Sequence, residues 1–209
     1  MKDNSQDMVF ERIEASGIGL TIGSIGSSVV RNITFRDCVM HKPVKGIYMK
    51  FRDDAGTIED VTYENILIDE PGQTAIWIGP AQQSDSDNPC AAHPCSLCWP
   101  ETPLSKCNLP AAATYKNIVL RNITVNMGGS SKQSFIMANA TNPMQGVVFD
   151  GVVVNDAKAK DFYEHCEGVA GGIATGGTSP VPPCFATNGT ASATERRRAG
   201  VGVGVGAQE

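Results

Sequence analysis

One pattern returns along this chain about every 28 residues, and it leaves few folds open. Five segments carry it: DMVFERIEA (7–15), NITFRDCVM (32–40), DVTYENILI (60–68), NIVLRNITV (117–125) and GVVFDGVVV (146–154). Each holds an apolar–x–aromatic or Leu run, two polar residues, and a second apolar–x–apolar run. With Phe10, Phe35, Tyr63, Leu120 and Phe149 taken as equivalent, the steps are 25, 28, 57 and 29, the 57 being two turns. A second series interleaves: GIGLTIG (17–23), KGIYMKF (45–51), TAIWIGP (74–80) and SFIMANA (134–140). From Leu20 through Ile47 and Ile76 to Phe135 its steps are 27, 29 and 59. An internal period of this size signals a solenoid. Alternation at period two within each unit makes the units strands.

The expected fold is therefore all-β: a right-handed parallel β-helix, a single-stranded solenoid in which inward side chains of successive coils stack. A β-sandwich would also supply short strands, but those would not keep one register over four or more repeats. The glycines Gly17, Gly19, Gly23, Gly26 and Gly46 fall where the chain must turn sharply or adopt positive φ. Residues 1–155 read as coils, with a Pro/Ser/Cys-rich loop inserted at 81–112. Residues 156–185 read as a C-terminal capping segment, with room for one short helix, and 186–209 as a disordered low-complexity tail.

The totals narrow the function. A net charge of −5 argues against nucleic-acid binding, which needs a basic face; ERRR at 195–198 reads as a solvated tail. The chain has no apolar run of the roughly 18 residues that a membrane helix needs, and its N-terminus has no signal-peptide pattern. Yet there are seven cysteines and four Asn-x-Ser/Thr sequons, at Asn32, Asn122, Asn139 and Asn188, which suit an oxidising, extracellular compartment. A missing true N-terminus reconciles the two.

The loop spacing C-x4-C-x2-C-x8-C (Cys90, Cys95, Cys98, Cys107, with His93 between) is too loose in its second pair for a tetrahedral zinc site, so disulfides are expected and no metal or cofactor. A zinc-stapled interaction module is the weaker alternative. Cys166 and Cys184 flank the capping segment and could pair. Cys38, in a strand, reads as a buried thiol.

The run SGIGLTIGSIGSSVVRNITFRDCVM…KGIYMKF…GTIEDVTYENILI resembles the C-terminal part of glycoside hydrolase family 28, the polygalacturonases. The resemblance covers roughly residues 3 to 155, and the ending looks like that of a divergent subgroup. It implies a pectin lyase-like β-helix that hydrolyses α-1,4-galacturonan of pectin with inversion, in carbohydrate metabolism at the cell wall. The implied partner is an acidic polysaccharide, bound by a secreted, monomeric parent protein.

The family carries Asn-Thr-Asp, Asp-Asp, Gly-His-Gly and Arg-Ile-Lys on one face. Inverting hydrolysis needs one carboxylic acid to protonate the leaving oxygen and a carboxylate to activate water. The acid motifs should precede Gly17, and MKDNSQDMVFERIEASG resembles the segment after Asp-Asp, so no catalytic residue is assigned. Gly-His-Gly becomes Gly17-Ile18-Gly19. Arg-Ile-Lys becomes Tyr48-Met49-Lys50, which removes a bidentate carboxylate clamp.

Lys50 is either a ligand for an acidic sugar or a surface lysine. Tyr48 either stacks on a sugar ring or is an ordinary strand tyrosine. Asp53 and Asp54 are sequence neighbours, so on a strand they point to opposite faces and make a weak acid/base pair. Asp3 and Asp7 read as solvated corner residues, and His41, His93 and His165 as surface histidines. Trp77 and Trp99 either line a sugar subsite or, as the default reading, pack under the loop. The functions left open are a polygalacturonase-like glycosidase, inactive as this chain, and a non-catalytic polysaccharide-binding or scaffold β-helix.

Overall fold

The computed structural model describes residues 1, 3–52, 55–81, 109–163 and 165–185. Its strands run in the order β1 (Ser5–Glu11), β2 (Glu14–Ala15), β3 (Leu20–Ile25), β4 (Val29–His41), β5 (Lys45–Phe51), β6 (Thr57–Asp69), β7 (Thr74–Pro80), β8 (Thr114–Asn126), β9 (Phe135–Met137), β10 (Met144–Asn155), β11 (His165–Glu167), β12 (Val169–Ala170) and β13 (Ile173–Thr175). They form two parallel sheets. One has the order β1-β4-β6-β8-β10-β12, with β2 on β4 and β13 on β10; the other has the order β11-β9-β7-β5-β3. Successive neighbours come from successive coils, so the chain is an all-β, right-handed parallel β-solenoid of the pectin lyase-like kind.

The expected column is present. Phe10 pairs with Phe35, Phe35 with Tyr63, Tyr63 with Leu120, and Leu120 with Phe149. The first three rings stack at 5.0 and 4.8 Å between centroids. Ile33, Val61, Ile118 and Val147 form a second inward column, fully buried. Each such side chain contributes about 1.5–3 kcal/mol by leaving water. The buried Tyr63 hydroxyl donates to the Leu20 carbonyl at 3.2 Å, and the Tyr115 hydroxyl to that of Gly79 at 2.7 Å, so neither phenol is orphaned.

The long strands bend without ending. Asp7, Asn32, Asp60 and Asn117 share one level of the stack and all have φ of 51–58°. One level on, Asp37, Asn65 and Asn122 do the same at 49–55°. Asn and Asp enter this left-handed region more readily than other side-chain-bearing residues, so each wall of the coil turns on one residue. Their amides form rungs: Asn32 donates to Asp7 at 2.7 Å, Asn65 to Asp37 at 2.9 Å, Asn117 to Asp60 at 2.7 Å and Asn122 to Asn65 at 2.8 Å.

Two expectations need correcting. Leu20, Ile47 and Ile76 align, but Phe135 pairs with Trp77, not Ile76. Ser134 takes the inward place, its hydroxyl accepting from the Ile76 amide 58 residues away. A one-residue slip turns every side chain over, so Phe135 faces outward. Residues 156–185 hold no helix among the described residues; instead β11, β12 and β13 continue the parallel pairing. Tyr163 and Phe185 close on the Phe149 ring at 6.3 and 4.9 Å.

Candidate functional site

The five-stranded sheet carries the residues singled out by motif, and its outward face is built in register. Thr21, Tyr48, Trp77, Phe135 and His165 occupy one row, one per coil. Tyr48 meets Trp77 edge-on at 6.0 Å, Trp77 lies 4.8 Å from Phe135, and Phe135 stacks on His165 at 5.6 Å. The row is not an open platform: Tyr48 is 2% exposed and Trp77 1%, with Leu109 packed against them. Tyr48 therefore does not offer a free ring to a sugar in this conformation. Its ring lies instead under two ammonium groups, Lys50 Nζ at 4.2 Å and Lys45 Nζ at 4.7 Å from the centroid. A desolvated cation–π contact is worth about 2 kcal/mol, enough to hold a lysine head in place.

Lys45 was missed in the sequence. Its position on β5 has the parity of the inward Ile47 and Met49, and a lysine on an inward parity is the signal that could have found it. It is 6% exposed, and its ammonium donates to Gln73 Oε1 at 2.7 Å. Burial, and then the neighbouring Lys50 charge, push its pKa down to about 8. Thr74, its register partner on β7, has a buried hydroxyl with no hydrogen-bond partner among the described residues.

Gly17-Ile18-Gly19 forms the corner before β3. Both glycines have positive φ, +94° and +102°. A Cβ on Gly19 would stand 1.9 Å from the Lys45 carbonyl oxygen, so the corner can press against β5 only without a side chain. At Gly46, on β5, a Cβ would stand 2.5 Å from the Ala75 oxygen of the next coil. Ile18 is 60% exposed. It can neither donate a hydrogen bond nor carry charge.

Carboxylates are scarce here. Among the described residues, Glu167 is the only one in the five strands of this sheet. Asp3 is exposed, and Asp7 belongs to the corner ladder on the other sheet. Asp53, Asp54, His93, Trp99, Asn188 and the cysteines Cys90, Cys95, Cys98 and Cys107 lie outside the described residues. His41 pairs with Glu14 at 2.9 Å on the surface. Cys166 and Cys184 form a disulfide, and Cys38 is a buried free thiol. The Asn32 and Asn122 amides serve the exposed corner ladders, whereas that of Asn139 donates to the Leu109 carbonyl at 2.7 Å. Among the described residues no cluster of His, Cys, Asp or Glu could hold a metal, and no helix is long and apolar enough to cross a membrane.

The family model for glycosyl hydrolases family 28 matches residues 2–99, a stretch that holds both the Gly17-Ile18-Gly19 corner and Tyr48-Met49-Lys50. Over those residues the chain is similar to that family. Over 58 residues it is 43% identical to the endopolygalacturonase A of Aspergillus niger and to that of Aspergillus awamori. The match covers 26% of this chain and 16% of each relative, so the chain matches only a small part of the length of these relatives. No solved structure matches.

Proposed function

We propose that this protein recognises an acidic, pectin-like polysaccharide on its five-stranded sheet, as part of a secreted, monomeric polygalacturonase-like glycosidase. One observation carries the reading. The strand that matches the family's Arg-Ile-Lys segment gathers two ammonium groups, Lys45 and Lys50, around Tyr48. Cations on a sheet face are what the carboxylates of a uronate chain require. Inverting hydrolysis also needs two carboxyl groups about 6.5–9.5 Å apart. The described strands of this sheet hold only Glu167, which supports a reading in which this chain binds without cleaving. The polygalacturonase names of the relatives support the choice of galacturonan.

Electrophoresis through gels containing polygalacturonate tests this. Retardation is expected, with none in neutral galactan, and Lys50→Met should weaken it; equal mobility in both gels would refute the reading. A second reading, a parent that binds polysaccharide and hydrolyses nothing, is favoured by Ile18, whose exposed aliphatic side chain replaces the family histidine. The reading frame upstream of Met1 separates the two. A signal peptide with Asn-x-Asp and Asp-Asp segments supports the glycosidase, and a frame without them supports the binder.

A further inference from the structure

Lysine is almost never this buried unless paired, because an ammonium taken from water must find its counter-charge in the protein. Among the described residues Lys45 has found none. Its contacts are a neutral amide oxygen, Gln73 Oε1 at 2.7 Å, and the face of the Tyr48 ring. The charged group that acts on it is Lys50, of the same sign. Beside it on the next coil, the buried Thr74 hydroxyl lacks a hydrogen-bond partner among the described residues. Lys45 and Thr74 thus stand at the same level of adjacent strands, whose backbones lie about 4.8 Å apart, the one without a counter-charge and the other without a hydrogen-bond partner among the described residues. Both want an acceptor, and one of them wants a negative one.

We propose that Lys45 is a specificity residue for the acidic sugar: its ammonium exchanges the Gln73 amide oxygen for a carboxylate oxygen of a uronide unit, and the Thr74 hydroxyl donates to the same carboxylate. The inference rests on the acidic-polysaccharide reading above and assigns the carboxylate contact within it. Gln73 is suited to the exchange. It sits on the corner just before β7, is partly exposed, and presents the neutral counterpart of a carboxylate. Neutral sugars have nothing to offer the buried charge, so the site rejects them. Among the described residues, the groups facing the Lys45 ammonium are Tyr48 and Lys50 from β5 and Gln73 from the corner.

Calorimetric titration of the 209-residue chain with trigalacturonate, at pH 6.5 and pH 9.5, tests the assignment. Because Lys45 loses its proton near pH 8, affinity should fall roughly thirtyfold between those values. Gln73→Glu, which supplies the missing carboxylate internally, should lower affinity at least tenfold at pH 6.5 without lowering the melting temperature. Lys45→Met should bind as weakly and lose the pH dependence. The methyl-esterified trisaccharide should not bind. Binding of trigalacturonate that is unchanged in Gln73→Glu and Lys45→Met, while Lys50→Met weakens it, overturns the role of Lys45 and leaves the acidic-polysaccharide reading standing. No binding by the wild-type chain at either pH overturns both.

Discussion

At Gly19 a single methyl group is too much. Its φ of +102° already penalises any L side chain, and the added carbon would overlap the Lys45 carbonyl. At Gly17 φ is +94° but the space is open, so only the conformational penalty applies. Gly17→Ala should therefore cost about 1–2 kcal/mol and Gly19→Ala more than about 3 kcal/mol in urea denaturation. Lys45 gives the second prediction at this scale. Its folded pKa lies below the unfolded one, so between about pH 8 and 10.5 the unfolded state binds more protons and stability rises with pH. Below pH 8 both states are protonated, and the folded state bears the full penalty of the buried charge. Lys45→Met should stabilise the fold there by about 1–3 kcal/mol and abolish the rise above it, as read from melts across that range. Lys50 was legible because it stands in a motif. Lys45 stands in no motif, and the one mark it leaves in the sequence is its inward parity with Ile47 and Met49 on β5.

At the scale of the element, the corners decide whether a strand can wrap. Asn65 stands mid-ladder, donating to Asp37 and accepting from Asn122. Later coils place glycine at the same level, Gly151 and then Gly176, both with positive φ. The level thus demands a left-handed residue first and an amide second. Asn65→Gly should cost about 1 kcal/mol, from lost hydrogen bonds, and Asn65→Ala about 2–3 kcal/mol, because alanine adds the conformational penalty. Equal losses in chemical denaturation would show that the amide ladder, not the backbone angle, holds the corner. The columns of Phe35, Tyr63 and Phe149 were readable because long strands repeat their pattern many times. The slip at Phe135 was not: β9 has three residues, all apolar, and Ser134 looks like a corner residue until its hydroxyl is seen buried. The segment after residue 155 hid its strands for the same reason, since β12 and β13 have two and three residues.

For the whole molecule, stacked coils leave an edge at each end. Strand β1 pairs with β4 on one side, and on its other side no strand pairs with it among the described residues. Met8 and Val9 are 39% and 57% exposed. An apolar unpaired edge is a template for another chain. These 209 residues should therefore self-associate, with a light-scattering mass that rises with concentration; a constant monomer mass would show the edge to be protected. The fold could be read from the sequence because it repeats, whereas the site could be read only in part, since Ile18 and Tyr48 stand where the motifs the chain resembles carry a histidine and an arginine. The most direct measurement is the release of reducing ends from polygalacturonate by the 209-residue chain, at a concentration where the gel assay shows it bound. The expected result is release no greater than in buffer. Sustained turnover would contradict it, requiring a carboxylate pair that the described strands of this sheet do not hold.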